Sequence, residues 1–368
     1  MLAQLATAAL LSAWTAPGYS PADTYYNPSE SVINAGTVNA LESRWTAPLA
    51  TSPSWSCSGP SQPLVSGGRV FVTEATGIAA FQAGTGRLSW RYRWASPEDE
   101  STPRLAVAGG LLIAANHGCQ SQSDPNGAVL ALHVTSGKEA WSAGTSFPVE
   151  TLVVDKGIAA VSGSSESDTP EVTGLRVTDG TERWTLLNYK SSGVSANGRL
   201  MINGAGTRTI SITTGKALWS KRVTWNAQAA TPAGDRFYVT DPSRALIAVN
   251  AATGATAWTA PRKASTQIAA DGRRVYRVIP RGIEALNART ARPEWTATFR
   301  GNTSQPVRAG GLLYTAVDAG QPLGILHAAT GKRASTGHQI GTLNPGPVTV
   351  TGGRLYLTRS NAVWAYAP

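Results

Sequence analysis

The chain has 368 residues, 42% of them apolar and 15% charged, with a net charge of +10. Its 38 Gly and 22 Pro cut it into short segments, which excludes long helices and coiled coils, and the apolar share excludes a disordered chain. Four His and two Cys exclude a Cys-rich zinc module or an iron–sulfur protein, and no apolar run reaches the ~20 residues needed to span a bilayer.

Taken in chain order, Leu2–Ala13 (LAQLATAALLSA) comes first, apolar and rich in small residues like the middle of an export signal, but without its basic start. Residues 1–13 are expected to be a signal-peptide remnant or a disordered N-terminus, and residues 14–368 a single domain. The first β signal is Trp45 in LESRWTAP, a lone strand with no hairpin partner nearby.

From Gly67 onward one pattern repeats. A Gly, Asp or Asn turn followed by a β-branched or aromatic run occurs eight times: SGGRVFVT (66–73), AGGLLIAA (108–115), DKGIAAVS (155–162), ANGRLMIN (196–203), AGDRFYVT (233–240), ADGRRVYRV (270–278), AGGLLYTA (309–316) and TGGRLYLT (351–358). A tight turn between two such runs is a hairpin signal. The 285 residues from Gly68 to Gly353 hold seven steps, a period of about 41. A second signal has the same period. Gly-x-x-x-Trp recurs at Gly86/Trp90, Gly137/Trp141, Gly180/Trp184, Gly215/Trp219 and Gly254/Trp258. Ala291/Trp295 lacks the Gly, and Gly331/Ser335 lacks the Trp.

Each unit reads as four short strands: A before the hairpin turn, B after it, C ending in a Thr-Gly turn, and D carrying the Trp. Four antiparallel strands repeated every 40 or so residues make a propeller blade. The predicted fold is therefore all-β: an eight-bladed β-propeller of four-stranded antiparallel blades. The eighth unit ends after strand C (AVWAYAP, 362–368), so its strand D is missing, while the Trp45 strand has no blade. The N-terminal strand is expected to close the last blade and remove an open sheet edge.

This topology sorts the connections. A–B and C–D turns share one face; B–C and D–A connections, the longer set, share the other. Loops on a rigid frame carry function. Polar residues just before each strand A are expected to ring the channel mouth on that second face as a ligand site: Gln62, Thr102, Glu150, Ser192, Gln228, Gln267, Gln305 and Asn344. Cys57 falls on a D–A connection of blade 1 and Cys119 on a B–C loop of blade 2, on the same face of adjacent blades. A disulfide between them is expected, which fits an oxidising compartment.

No Gly-x-Ser-x-Gly, Gly-x-x-x-x-Gly-Lys or His-Glu-x-x-His signature is present, and no metal site is expected. His117 near Cys119 is read as structural, as are His133 and His327; His338 stands apart.

The repeats AATGATAWTA (251–260), VTSGKEAW (134–141) and TTGKALW (213–219) resemble those of the PQQ-like (quinoprotein/BamB-like) eight-bladed propeller family. The stretch YNPSESVINAGTVNALESRW (26–45) is similar to secreted actinobacterial members. The resemblance implies that each repeat Trp (Trp45, Trp90, Trp141, Trp184, Trp219, Trp258, Trp295) packs on the next blade, and that the blade 7–8 seam, with Ser335 in place of Trp, is weaker. It also raises the question of pyrroloquinoline quinone (PQQ). Quinoprotein enzymes place an adjacent Cys–Cys disulfide against the quinone; this chain has no such pair, and Asp124-Pro125-Asn126-Gly127 reads as a turn, so no cofactor is expected.

The reading is a secreted or envelope-associated, monomeric, non-catalytic scaffold that binds a protein or an anionic cell-envelope polymer, with no specific nucleic-acid partner. The alternatives are an enzyme (lyase, hydrolase or cyclase) or a small-molecule sensor at the channel mouth. Residues 262–308 carry ten cations against three carboxylates, while Glu98, Asp99, Glu100, Glu166, Asp168 and Glu171 crowd the connections of blades 2 and 3, so a lopsided charge is expected.

Overall fold

A computed structural model describes residues 13–52, 56–120, 126–165, 167–263, 267–318, 322–334, 340 and 347–368. Asp124, Glu166, Ser335, His338 and Asn344 lie outside the described residues.

The hairpin turns follow from left-handed backbone. Gly67 (φ 56°) and Gly68 (φ 72°) form one; Lys156–Gly157 and Asn197–Gly198 adopt the same pair of positive φ values. Such turns match the twist of the strands they join. Strands B and C are buried along most of their length because a blade is covered on both sides by its neighbours. Leu111–His117 and Ile158–Ser164 each bury all but their last residue. Strand D, on the rim, alternates or is exposed, as in Leu88–Arg93 and Ala217–Lys221.

The strands form eight four-stranded sheets arranged as blades. The A strands, which contact one another around the axis, are Leu64–Ser66, Arg104–Ala108, Thr151–Asp155, Lys190–Ala196, Asn226–Ala230, Ile268–Ala270, Val307–Ala309 and Thr349–Thr351. Closure is as expected. Glu42–Pro48 pairs antiparallel with Ala362–Ala367 as the outer strand of blade 8, with Trp45 opposite Ala365. Blade 7 departs from the pattern. Its fourth strand is Tyr26–Asn27, which pairs parallel on the inner edge, Tyr26 opposite Arg308. At its outer edge the described residues show a single bridge, Leu326 to Arg333.

The A–B and C–D turns share a face, as seven repeated bonds show; Ala83 N–H to Gly68 O (2.9 Å) and Val177 N–H to Gly157 O (2.9 Å) are two of them.

The seven repeat Trp residues form a girdle. Each indole N–H donates at 2.8–3.2 Å to a backbone carbonyl of the next blade, from Trp45 to Ala83 through Trp295 to Ala328. The same rings cover the repeat glycines. Those glycines have φ of 68–72°, and a Cβ on Gly86, Gly137, Gly180, Gly215, Gly254 or Gly331 would lie 2.5–2.9 Å from the indole. Both facts favour Gly. Ala291, which stands in for Gly in blade 6, keeps a left-handed φ of 59°.

The blade 7–8 seam, where the girdle lacks a Trp, is filled by the N-terminal segment. Ile33, Val38 and Leu41 are buried in the core, and the Ile33 carbonyl presses on Gly310. The Glu30 carboxylate accepts the N–H groups of Val32 (2.9 Å), Ile33 (3.0 Å) and Gly353 (3.0 Å). That buried acceptor ties the segment to blade 8.

Candidate functional site

The inner edge of every A strand carries unpaired N–H and C=O groups that face the axis. On the turn face these groups are met by residues 14–27, which run as a strap around the axis. Trp14 exchanges two backbone bonds with Val65 of blade 1 (2.8 and 2.9 Å). The strap carbonyls of Thr15, Pro21, Ala22, Thr24 and Tyr25 then accept N–H groups from Val107, Ser195, Ala230, Ala270 and Arg308, on blades 2, 4, 5, 6 and 7, at 2.7–2.9 Å. Asn27 Nδ2 donates to Val350 O of blade 8 (2.9 Å). Trp14 is fully buried, edge-on to Tyr19 with ring centroids 5.3 Å apart.

The strap brings ionisable groups to the centre of the ring. Asp23, at φ 52°, takes no side-chain hydrogen bond from the described residues. It keeps some accessible surface, yet the surrounding blades desolvate it and push its carboxyl up to about 7. Burial and the Asp23 charge hold the neighbouring Tyr25 hydroxyl well above its usual value, with Arg104 pulling the other way. Gly18 is required beside Asp23, because a Cβ there would collide with the Asp23 carboxylate and backbone.

At the opposite mouth, the polar residues singled out in the sequence are mostly engaged between or within blades. Gln62 Nε2 donates to Val348 O and Thr349 Oγ1 of blade 8 (both 3.2 Å). Gln305 Nε2 reaches Ile268 O of blade 6 (2.5 Å). Glu150 is ion-paired with Lys190 of blade 4 (3.0 Å), an exposed pair worth no more than about 1 kcal/mol. Thr102 Oγ1 accepts the Gly59 N–H (2.7 Å). Ser192 and Gln228 lie inside their A strands rather than before them. Ser192 Oγ bonds Met201 O (3.0 Å), and Gln228 Nε2 bonds Asn226 O (3.1 Å) and Thr240 Oγ1 (3.2 Å). Gln267 is exposed, its carbonyl accepting the Val278 N–H (3.0 Å). Asn344, as stated, lies outside the described residues.

Cys57 and Cys119 are bonded, with Cα atoms 6.6 Å apart. The disulfide is the centre of a clasp on the loop-bearing face. Asp99 Oδ1 accepts the N–H groups of Cys119 (2.9 Å) and Gln120 (2.7 Å), and Ser101 N–H bonds His117 O (3.0 Å). Three connections, 56–60, 96–102 and 117–120, are thus fixed as one block.

Within residues 262–308, the three carboxylates bind four cations: Glu284 with Lys263 and Arg277, Glu294 with Arg274, and Asp271 with Arg308. Arg277 and Glu284 are both buried.

The strap was not foreseen from the sequence. Its partners are backbone edges, which leave no side-chain pattern. The usable signal is aromatic density outside the repeat: Trp14, Tyr19, Tyr25 and Tyr26 within 13 residues.

The residues present do not fit a PQQ-type group. The only two Cys are bonded to each other across blades 1 and 2, so no adjacent-Cys ring can stack on a quinone. Among the described residues no cluster of three His, Cys, Asp or Glu could hold a metal ion. No helix among the described residues is long and apolar enough to cross a membrane.

The family model described as "Outer membrane protein assembly factor BamB" matches residues 40–166 and 168–368. The outer membrane protein assembly factor BamB of Burkholderia pseudomallei (strain K96243) is 29% identical over 173 residues, 43% of this chain and 44% of that protein. The match thus spans less than half the length of that curated relative. Among solved structures, BamB from Moraxella catarrhalis superposes with a TM-score of 0.62 at 16% identity, covering 89% of this chain and 100% of that one. Quinohemoprotein alcohol dehydrogenase from Comamonas testosteroni gives 0.66 at 13% identity, covering 98% and 81%. At these identities the structures share the fold.

Proposed function

The chain belongs to the family of the outer membrane assembly factor BamB, and from that premise we propose that it is a non-catalytic, envelope-associated scaffold that binds a protein partner through its loop-bearing face. The observation that carries this reading is the disulfide clasp. It fixes three connections of blades 1 and 2 into one rigid block on that face, and rigid presentation lowers the entropy a partner must lose on binding. The disulfide also fits a compartment outside the reducing cytoplasm. The mouth residues support the same reading, because Gln62, Glu150 and Gln305 tie blades together instead of converging on a reacting group. A second reading, a small-molecule sensor at the axis, is favoured by Asp23 and Tyr25 alone.

The test is site-specific photo-crosslinking in intact envelopes. A crosslinker at Gln120, in the clasp, should give a discrete protein adduct; one at Asn197, on the turn face, should give none. An adduct from Asn197 only, or none from either position, would refute the assignment.

A further inference from the structure

The outer half of blade 4 carries a second concave feature, unrelated to the clasp. It is a pocket of about 350 Å³ lined by Tyr189, Thr207, Arg208, Ser220, Lys221 and Arg222, together with the small residues at 205 and 206. No carboxylate lines it. Strand C of this blade is Thr207–Ser211 and strand D is Ala217–Lys221, with Arg208 directly opposite Ser220 in the ladder.

Arg208 is held in place rather than free to swing. Its Nε donates to Ser220 Oγ (3.3 Å), and its guanidinium lies over the Tyr189 ring, 4.7 Å from the centroid. These two contacts use one nitrogen and one face of the group. The terminal nitrogens take no ion pair from the described residues, in contrast to Arg274, Arg277 and Arg308 of blades 6 and 7, each held by a carboxylate. Arg222 is exposed and likewise has no ion-pair partner among the described residues. Its position is fixed through the backbone. Gly206 lets the Lys221–Arg222 chain approach so closely that a Cβ would collide with the Lys221 carbonyl. Thr207 N–H then bonds Val223 O (2.9 Å), and Thr207 Oγ1 accepts the Trp225 N–H (2.7 Å). The walls are therefore built before any ligand arrives.

We infer that this pocket binds a phosphate-bearing ligand, with the Arg208 guanidinium as its oriented fork and Arg222 as the second cation. A planar guanidinium with its terminal nitrogens unused matches two phosphate oxygens. Two arginines and Lys221 on one concavity favour a group that carries more than one negative charge, or several oxygens sharing one. The volume leaves room for whatever the phosphate is attached to. Two sources share this chemistry, a soluble phosphate compound and the headgroup of an anionic lipid.

The test uses the full-length oxidised protein at constant ionic strength, with chloride as the balancing anion. Inorganic phosphate is titrated by calorimetry, and sedimentation is measured with phosphatidylglycerol/phosphatidylcholine vesicles against pure phosphatidylcholine. Arg208→Gln/Arg222→Gln should weaken binding of the responding probe by at least about tenfold, the scale of one or two lost charged hydrogen bonds. Arg208→Lys, which keeps the charge but loses the fork, should recover only part of it. Arg289→Gln/Arg292→Gln, on the exposed turn of blade 6, should leave binding unchanged, and thermal melts should show all variants folded. Response to inorganic phosphate assigns a soluble ligand, and response to the anionic vesicles alone assigns a headgroup. If neither probe binds, or if the blade 4 and blade 6 pairs lose binding equally, the inference is overturned.

Discussion

Replacing Asp23 with Asn tests whether the fold desolvates this strap carboxyl. In the unfolded chain this carboxyl titrates near 3.8; in the folded ring it titrates at about 7. Between those values the native state holds a proton that the unfolded state has released, so stability must fall as pH rises through this window. The full effect, at about 1.36 kcal/mol per pH unit, is about 4 kcal/mol. Because Asp23 keeps part of its surface accessible, ~2–4 kcal/mol is the expected range. Asn tolerates the left-handed φ of 52° as well as Asp does, so the substitution adds no backbone strain. Urea unfolding of both proteins, followed by Trp fluorescence from pH 4 to pH 8, isolates the group, since every other titration is common to the pair. The variant should gain on the wild type steadily from pH 4 to about 7 and hold a constant lead above that. Parallel stability curves would show that Asp23 is solvated as an ordinary surface carboxylate, and the desolvation argued for it would be wrong.

Three further outcomes follow from the packing. Trp184→Ala removes a buried indole, its bond to Ile212 O and the cover over Gly215, and should cost about 3–5 kcal/mol by chemical denaturation, with Trp184→Phe costing visibly less. Reducing the Cys57–Cys119 disulfide, which spans 62 residues, should cost about 4 kcal/mol in the chain-entropy account, and thiol titration of the unreduced, denatured protein should find no free Cys. Deleting residues 1–27 removes the strap but keeps the closing strand, so the protein should stay soluble with a lowered melting temperature. Deleting residues 1–48 also strips Glu42–Pro48 from blade 8 and should give aggregates; monomeric, cooperatively melting protein would contradict the closure.

The sequence carried the repeat because the repeat is local. Each hairpin turn and each Gly-x-x-x-Trp is specified within a dozen residues, and counting them gave both the eight blades and the unmatched Trp45 strand. The Cys57–Cys119 pair was legible for the same reason, once the loops were sorted by face. What escaped depends on partners far along the chain. The strap recognises backbone edges of seven blades, so nothing in residues 14–27 alternates or repeats. The charge of blades 6 and 7 read as a surplus of cations, but register puts Arg274 beside Glu294 and Arg277 beside Glu284, spending the carboxylates inside the same blade. Gln62 and Gln305, placed at the mouth by topology, reach sideways to blades 8 and 6, a direction that the order of strands does not specify.

The closing strand also sets a schedule for folding. Trp45 ends opposite Ala365, so the strand made among the first must wait for one made among the last. During synthesis the blades can pair their own hairpins as they emerge, but the strap has no full set of edges to grip until blade 8 exists. Trp14, Ile33, Val38 and Trp45, all buried in the finished ring, stay in contact with solvent or a chaperone for nearly the whole of translation. Once closed, the same arrangement works in reverse. The strap cannot peel away without breaking bonds to several blades, and the C-terminal strand Ala362–Ala367 cannot leave without also giving up its ladder to Glu42–Pro48.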